Sequence, residues 1–318
     1  REVPAQVLGH EHAGGLSRVY FAFVAEGVPP VGYRAFYVEP LPEPQPSPSS
    51  LSASFGALQS PHYRLEFERG LILRAVHLPS GRRLDAEGEF TLAEPLAMRD
   101  VAVDVDEELT GEVLRVSDGE REPGMRVCEA TCGPVFCELV REGVLAGSTV
   151  RQRIRLYGAL AWFEARTEVD WRGERRLQVR LAFEFAIPDG VATYESPFYA
   201  VTMPEGEMEG TYRGTGGRMV GEWVSVSAPD GSFGATVATS LGCASINGPR
   251  VHMLLLRTTY SCGTPFLWYD LVGRHSFRHA IWAHEGDWRR ARAFRLGWEL
   301  NTPLFPVRLA TARTIRPW

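Results

Sequence analysis

Apolar and polar residues alternate along several stretches of the chain from about residue 61 onward. In residues 177–187 (LQVRLAFEFAI) every second side chain is apolar, and residues 163–171 and 63–67 follow the same pattern. Successive side chains of a β-strand point to opposite faces. The alternation therefore predicts strands with one face on a core and the other toward water, as in antiparallel sheets.

Turn signals separate these stretches. They are Pro-Ser-Gly at 79–81, Ser-Asp-Gly at 117–119, Pro-Asp-Gly at 188–190 and 229–231, and Asn-Gly-Pro at 247–249. These residue types dominate tight turns, and many strands joined by short turns indicate a sandwich or a barrel. The sequence predicts an all-β fold.

One helix is expected near the C-terminus. Asp287 is a suitable N-cap, and Trp288, Ala291, Phe294 and Trp298 follow at helical spacing. Asn301 and Pro303 would end this helix.

Three regions are predicted along the chain. Residues 1–38 form a small β unit with two apolar runs, 19–24 and 35–38. Residues 39–60 are a linker, because proline recurs at every second position from 40 to 48 and removes backbone donors. Residues 61–318 form one large β domain. Because residue 1 is Arg and not Met, we expect a fragment or a processed product.

Composition excludes several classes of function. The 318 residues carry 34 basic side chains, all of them Arg, against 39 acidic ones, for a net charge of −5. A mildly acidic chain without basic clusters is a poor binder of nucleic acid or of a membrane surface. No apolar run approaches the roughly 20 residues of a membrane span.

The five cysteines lack the paired spacing of a zinc site. We expect them to be reduced thiols, which favours the cytoplasm.

No self-contained active site emerges from the motifs. His275 and His279 lie on a predicted strand, where their rings would be roughly 13 Å apart and could not share a metal ion. Paired carboxylates could hydrolyse glycosides, but Glu164 and the acids of the neighbouring strands alternate with arginines, which predicts surface ion pairs. We therefore expect no catalytic residue and no metal ligand in this chain.

Three stretches resemble the C-terminal half of the family 38 glycoside hydrolases, the α-mannosidases. The first is 28–36 (VPPVGYRAF). The second combines 133–135 (GPV), 151–157 (RQRIRLY) and 163–171 (FEARTEVDW). The third is 275–288 (HSFRHAIWAHEGDW) followed by 299–304 (ELNTPL). Their order and spacing extend over nearly the whole chain.

The resemblance implies a large antiparallel supersandwich, similar to galactose mutarotase. It also implies that the chemistry lies in a separate N-terminal catalytic domain, where a zinc ion and an Asp nucleophile hydrolyse α-mannosides. The His-x-Asp zinc motif of that domain does not occur in this sequence. The resemblance therefore implies a non-catalytic β domain of mannose metabolism, inactive alone and without its own cofactor, whose partners are the catalytic domain and mannosides or related glycans.

Some family members complete the sugar site from the β domain, which makes Tyr212, Arg213, Arg218 and His284 the candidate carbohydrate-binding residues. Tyr212 could stack on a sugar, and the two arginines could donate to its hydroxyl groups. Two alternatives remain open from the sequence: a stand-alone carbohydrate-binding module, or an aldose-epimerase-like enzyme with a histidine acid and a carboxylate base.

Overall fold

The structure, a computed structural model, describes residues 2–13, 16–39, 50–99, 112–119, 122–203, 217–240, 242–258 and 267–308. The first eleven strands, β1–β11, are Ala5–Ala13, Leu16–Phe23, Ser52–Ser54, Ala57–Gln59, Tyr63–Glu68, Leu71–His77, Arg82–Arg83, Glu94–Arg99, Val113–Arg115, Arg126–Cys132 and Phe136–Leu145. Strands β12–β22 are Ser148–Tyr157, Phe163–Trp171, Leu177–Glu184, Val191–Ser196, Tyr199–Thr202, Gly217–Val220, Trp223–Ser227, Phe233–Ala238, Gly242–Asn247, Arg250–Thr258 and Gly273–Glu285. Helices α1 and α2 are Trp288–Ala291 and Phe294–Asn301.

The strands form four antiparallel sheets. The nine-stranded sheet has the order β10-β11-β12-β13-β22-β19-β18-β15-β16, and the six-stranded sheet has the order β17-β20-β21-β14-β8-β9. Strands β3 to β7 form a five-stranded sheet, and β1 and β2 pair only with each other. The predicted all-β, antiparallel fold is confirmed.

One apolar cluster joins the nine-, six- and five-stranded sheets. The alternating residues of β14, from Leu177 to Phe183, lie in it together with Phe163 of β13 and Leu65 of β5. Full burial of one such side chain contributes about 2 kcal/mol. The period-two pattern therefore identified the core face of these strands correctly.

The opposite face of β14 is also covered, contrary to the expected exposure. Gln178 and Arg180 are buried, and Ala182 packs against Phe90 and Leu96. Phe90 belongs to the segment between β7 and β8, and its N–H donates to Glu184 at 3.0 Å. This segment folds back over the sheet, so β14 has no free face.

The N-terminal regions differ in detail from the sequence prediction. The apolar run at 19–24 contributes to β2, but the second run at 35–38 is not a strand. Within the segment assigned to the linker, residues 52–54 and 57–59 form β3 and β4, which pair with β5. The five-stranded sheet thus begins eleven residues before Tyr63, at Ser52.

The expected C-terminal helix is two short helices. Asp287 does cap the first, because its side chain accepts a hydrogen bond from Arg290 N. Arg292 then adopts a left-handed conformation with φ 56°, which ends α1 before α2 begins at Phe294. Both helices contact the outer face of the nine-stranded sheet, where Trp288 packs against Trp223 with ring centroids 5.0 Å apart.

Candidate functional site

The hairpin of β1 and β2 stands apart from the three larger sheets. It is attached to the nine-stranded sheet through Gln6, whose Oε1 accepts hydrogen bonds from Val135 N at 3.2 Å and Phe136 N at 3.0 Å. A Cβ atom on Gly133 would overlap the Gln6 side chain, so glycine at this position permits the contact. The Gly-Pro-Val motif at 133–135 therefore forms the receptor for the hairpin.

The face of the hairpin opposite Gln6 is apolar and exposed. Val7 pairs directly with Phe21, and side chains two residues apart on β2 share its face. We call Val7, Val19, Phe21 and Phe23 the apolar hairpin face; their exposed fractions are 57%, 49%, 37% and 36%. Phe36 packs on its edge, 4.9 Å from the Phe23 ring. A contiguous exposed apolar surface of this kind marks an interaction site.

A second exposed aromatic feature lies at the turn between β15 and β16. Ser196 pairs with Tyr199, so Pro197 and Phe198 form a two-residue turn. Phe198 has φ 73°, a left-handed conformation that costs an L-residue roughly 1–2 kcal/mol. Its side chain is fully exposed and Tyr199 beside it is also exposed. The strained backbone at Phe198 thus exposes its aromatic ring to solvent.

The four predicted sugar-binding residues have different positions in the structure. Tyr212 and Arg213 lie outside the described residues. Arg218 is half-buried on β17, at one edge of the six-stranded sheet, whereas His284 lies on β22 in the middle of the nine-stranded sheet. The structure therefore does not place Arg218 and His284 on the same sheet.

His284 is enclosed between the nine-stranded sheet and the C-terminal helices. Its Nε2 lies 2.9 Å from Thr236 Oγ1, and its Nδ1 lies 3.1 Å from the Gly286 carbonyl oxygen. A Cβ on Gly234 would lie 2.5 Å from the ring, so this glycine makes room for it. Burial lowers the pKa of His284 to about 4. This environment favours a neutral structural histidine and offers a ligand no free ring nitrogen.

The other histidines of β22 do not form a metal pair. β22 is a strand, as expected, and His275 Nε2 lies 2.7 Å from the Leu271 carbonyl oxygen. His279 is buried beside Phe183, and burial lowers its pKa to about 4. Within the described ranges, no three His, Cys, Asp or Glu side chains converge on a point that could hold a metal ion. The zinc that the resemblance implies belongs to a separate catalytic domain, and the described residues of this chain offer no ligand set for it.

Acidic side chains of β11 and β13 in the nine-stranded sheet are engaged in ion pairs. Glu164 accepts two hydrogen bonds from Arg278, at 2.9 and 2.6 Å. Glu138 pairs with Arg155 at 2.7 Å. Both carboxylates are thus occupied by arginine side chains, an arrangement that does not suit the proton donor of a glycosidase.

Sequence reasoning missed a buried arginine. Arg141 on β11 has no exposed surface, and its Nε donates to Gln152 Oε1 at 2.8 Å. Its terminal nitrogens donate to the carbonyl oxygens of Gly70 and Ala93, the latter at 3.0 Å. The one signal in the sequence is that Arg141 follows Leu139 and Val140 in a strongly apolar strand.

The described part of the chain contains no helix long and apolar enough to cross a membrane. The described residues form an all-β sandwich with an anchored hairpin that presents apolar side chains. The comparisons with known proteins agree with a domain of this class.

The sequence profile of the glycosyl hydrolases family 38 C-terminal domain matches residues 58–261. The match extends over more than half of the chain, which therefore belongs to this family. No curated protein sequence matches the chain.

Solved structures show where such a domain occurs. An α-mannosidase from Enterococcus faecalis V583 has a TM-score of 0.68 at 11% identity, covering 95% of this chain and 38% of that chain. A family 38 glycosyl hydrolase from Enterococcus faecalis has a TM-score of 0.65 at 9% identity, covering 95% of this chain and 40% of that chain. A putative aldose 1-epimerase from Escherichia coli K12 is less similar, with a TM-score of 0.42 at 10% identity, covering 74% of this chain and 100% of that chain. This chain thus spans about two fifths of the length of the first two proteins.

Proposed function

We propose that this chain is the non-catalytic β region of an α-mannosidase-like glycoside hydrolase, and that it supports a zinc-dependent catalytic domain. Family membership and the two-fifths coverage of an α-mannosidase support this proposal. The zinc and the reacting carboxylates belong to the catalytic domain in this proposal, because the described residues of this chain assemble neither.

The observation that carries the proposal is the apolar hairpin face. The hairpin uses its Gln6 side to attach to the sandwich and leaves Val7, Val19 and Phe21 uncovered on the other. Two strands do not form a stable unit alone in water, so a hairpin with an uncovered apolar face needs a partner. The catalytic domain of the same hydrolase is the partner we assign to it, since the similar α-mannosidase extends well beyond the 38% of its length that this chain covers.

We expect the isolated chain to show no turnover of a chromogenic α-mannoside, with or without added zinc. Coexpressed with the catalytic domain of the same hydrolase, it should elute as one complex on gel filtration and show zinc-dependent hydrolysis. The double variant Val7→Glu/Val19→Glu should weaken the complex by at least about 100-fold, because two carboxylates would be buried in an apolar contact without partners.

The control is Val144→Glu, which places one such carboxylate at a position of β11 with 47% exposure, away from the hairpin. It should leave the complex intact. The folded state of the double variant is checked by its thermal unfolding, which should shift little because both side chains are exposed. Zinc-dependent turnover by the isolated chain, or equal binding by the double variant and the control, contradicts the proposal.

We further propose that the region from Tyr199 to Arg218 contributes to a glycan site next to the catalytic domain. Exposed Tyr199 and half-buried Arg218 border the segment that contains Tyr212 and Arg213. An aromatic ring that stacks on a sugar face and arginines that donate to hydroxyl groups are the groups such a site requires. His284 is enclosed and would support the packing of β19 and β22 without contacting sugar.

Calorimetric titration of the complex with methyl α-mannoside tests the glycan site. Tyr212→Ala and Arg218→Ala should each weaken binding by about 10-fold, the effect of losing one ring contact or one hydrogen bond to a charged group. His284→Gln, which keeps a polar side chain in the same space, should change binding by less than 2-fold. Unchanged affinity in both of the first two variants refutes the glycan site but leaves the support of the catalytic domain intact.

The expected compartment is the cytoplasm, in keeping with free cysteines at 128, 132, 137 and 243. Fractionation of the producing cells with antibody detection would test it.

A further inference from the structure

We propose that Cys132 and Cys137 form a redox-active thiol pair, which low-molecular-weight disulfides oxidise to a disulfide that closes the turn holding the N-terminal hairpin. The inference does not depend on the proposed hydrolase function. It rests on the register of β10 and β11, in which Cys132 lies directly opposite Cys137.

The backbone places the two cysteines in a geometry that a disulfide can span. Gly133 N donates to the Phe136 carbonyl oxygen at 3.1 Å, so these two residues are the hydrogen-bonded pair at the end of the hairpin. The next pair, Cys132 and Cys137, is therefore a non-hydrogen-bonded pair, for which Cα atoms lie about 4.5 Å apart. Disulfides accept Cα separations of about 4.4–6.8 Å.

The side chains also meet. Directly opposed residues of an antiparallel pair project to the same face, so the Cys132 and Cys137 thiols lie side by side. Cys137 is buried and lies 3.5 Å from the Gln59 carbonyl oxygen, whereas Cys132 is exposed on the edge strand. One thiol can thus meet an oxidant from solution while its neighbour is protected.

The reaction follows from this difference in exposure. The Cys132 thiolate attacks oxidised glutathione, forms a mixed disulfide and releases one glutathione thiolate, which takes up a proton. The Cys137 thiolate then attacks the Cys132 sulfur and releases the second glutathione. The protein loses two protons and two electrons in total, and one oxidised glutathione becomes two reduced glutathiones.

The rate should depend strongly on pH. Burial raises the pKa of both thiols, that of Cys137 to about 12. Because the thiolate is the nucleophile, oxidation should be slow at pH 7 and should accelerate by about 10-fold for each pH unit below these pKa values. The pair is thus suited to a slow response to sustained oxidation.

The position of the pair connects it to the hairpin. A bond between residues 132 and 137 closes a ring around 133–136, and Val135 and Phe136 in that ring donate to Gln6. Oxidation should therefore slow hydrogen exchange at the Val135 and Phe136 amides, because it restricts opening of the turn on which Gln6 rests.

Mass spectrometry after incubation with oxidised glutathione and alkylation tests the proposal. Cleavage at Arg126 and Arg141 gives one peptide that contains Cys128, Cys132 and Cys137. After oxidation this peptide should lose two hydrogen atoms and retain one alkylated cysteine, and dithiothreitol should restore three alkylated cysteines.

Two variants assign the bond within that peptide. Cys128→Ser removes the third, exposed thiol of β10 and should leave the loss of two hydrogens unchanged, whereas Cys132→Ser should abolish it. Since both substituted residues are exposed, both variants should fold. Full alkylation of all three cysteines after prolonged oxidation at pH 8.5, or a bond that disappears in Cys128→Ser, overturns the proposal.

Discussion

The folded state should lose about 6 kcal/mol of stability between pH 7 and pH 5, because three histidines are buried in the neutral form. Burial lowers the pKa of His279 and His284 to about 4, and burial together with Arg180 and Arg250 lowers that of His252 to about 3. In the unfolded chain each imidazole takes up a proton near pH 6.5. Their contribution to stability is therefore complete above pH 6.5 and is lost as the pH falls toward the folded-state values.

The size of the effect follows from linkage. At pH 5 each histidine binds a proton in the unfolded state alone, which costs about 2 kcal/mol per group. A total near 6 kcal/mol is comparable to the whole stability of an ordinary domain. We therefore expect urea denaturation midpoints to fall steeply from pH 7 to pH 5, with the folded state lost near the lower limit.

Variants distinguish the contribution of the histidines to the pH dependence of stability from that of the carboxylates. His279→Leu should reduce the pH dependence by about a third, since His279 Nδ1 has no hydrogen-bond partner among the described groups and an apolar residue leaves nothing unsatisfied there. The control His10→Leu, on the exposed strand β1, should leave the dependence unchanged. Glu222 acts in the opposite direction, because burial and Glu195 raise its pKa. A stability that stays constant from pH 7 to pH 5 would contradict the neutral, buried state of these rings.

The sequence predicted the strands and their core faces because alternation is a local property. In β14, Leu177 and Phe183 lie in the core as the pattern indicates, and in β13 Phe163 does too. The burial of Ala182 on the other face was not predictable, because Phe90, which packs on it, comes from about ninety residues earlier in the chain. Alternation describes one strand and carries no information about what packs on its second face.

The C-terminal helices show a similar limit. The N-cap at Asp287 is a local signal and was found, but the left-handed residue that interrupts the helix is Arg292, where sequence rules expect Gly or Asn. The Arg292 N–H donates to the Arg289 carbonyl oxygen, a contact that neither residue type predicts. Tertiary packing of α2 on the nine-stranded sheet accounts for the break.

The candidate site was predictable only in part. Family resemblance placed a Gly-Pro-Val motif at 133–135, and the structure gives it a physical role as the receptor for Gln6. The apolar hairpin face was recognisable as a run of apolar residues, but its exposure was not, because the sequence does not show which surface remains uncovered. His284 was a candidate through the family resemblance alone, and the burial of its ring depends on tertiary contacts that the sequence does not show.

Removal of the Arg141 side chain should strongly destabilise the nine-stranded sheet. Arg141→Ala should cost about 4 kcal/mol, because it opens a cavity and leaves Gly70 O, Ala93 O and Gln152 Oε1 without their donor. Gln152 in turn donates to Thr167 Oγ1 at 2.8 Å, so the loss extends from β11 to β13. Urea denaturation at pH 7 measures it.

The reason for so large an effect is that Arg141 connects separate sheets. Gly70 lies in the turn between β5 and β6 of the five-stranded sheet, and Ala93 immediately precedes β8 of the six-stranded sheet. Burial lowers the pKa of the guanidinium to about 9, and Glu94 offsets part of that shift. The buried charge is therefore tolerated, because the guanidinium N–H groups donate to acceptors from three different elements.

Two further variants distinguish this connection from a general loss of charge. Arg153→Ala removes an arginine of the neighbouring strand β12 that pairs with Glu138 at 3.3 Å near the surface, and should cost no more than about 1 kcal/mol. Arg141→Lys keeps the charge but can reach fewer of the acceptors, so it should recover less than half of the loss in Arg141→Ala. If Arg141→Lys were as stable as the original protein, the charge alone would explain the role of Arg141. If Arg141→Ala cost no more than Arg153→Ala, the apolar core would hold the sheets together without Arg141.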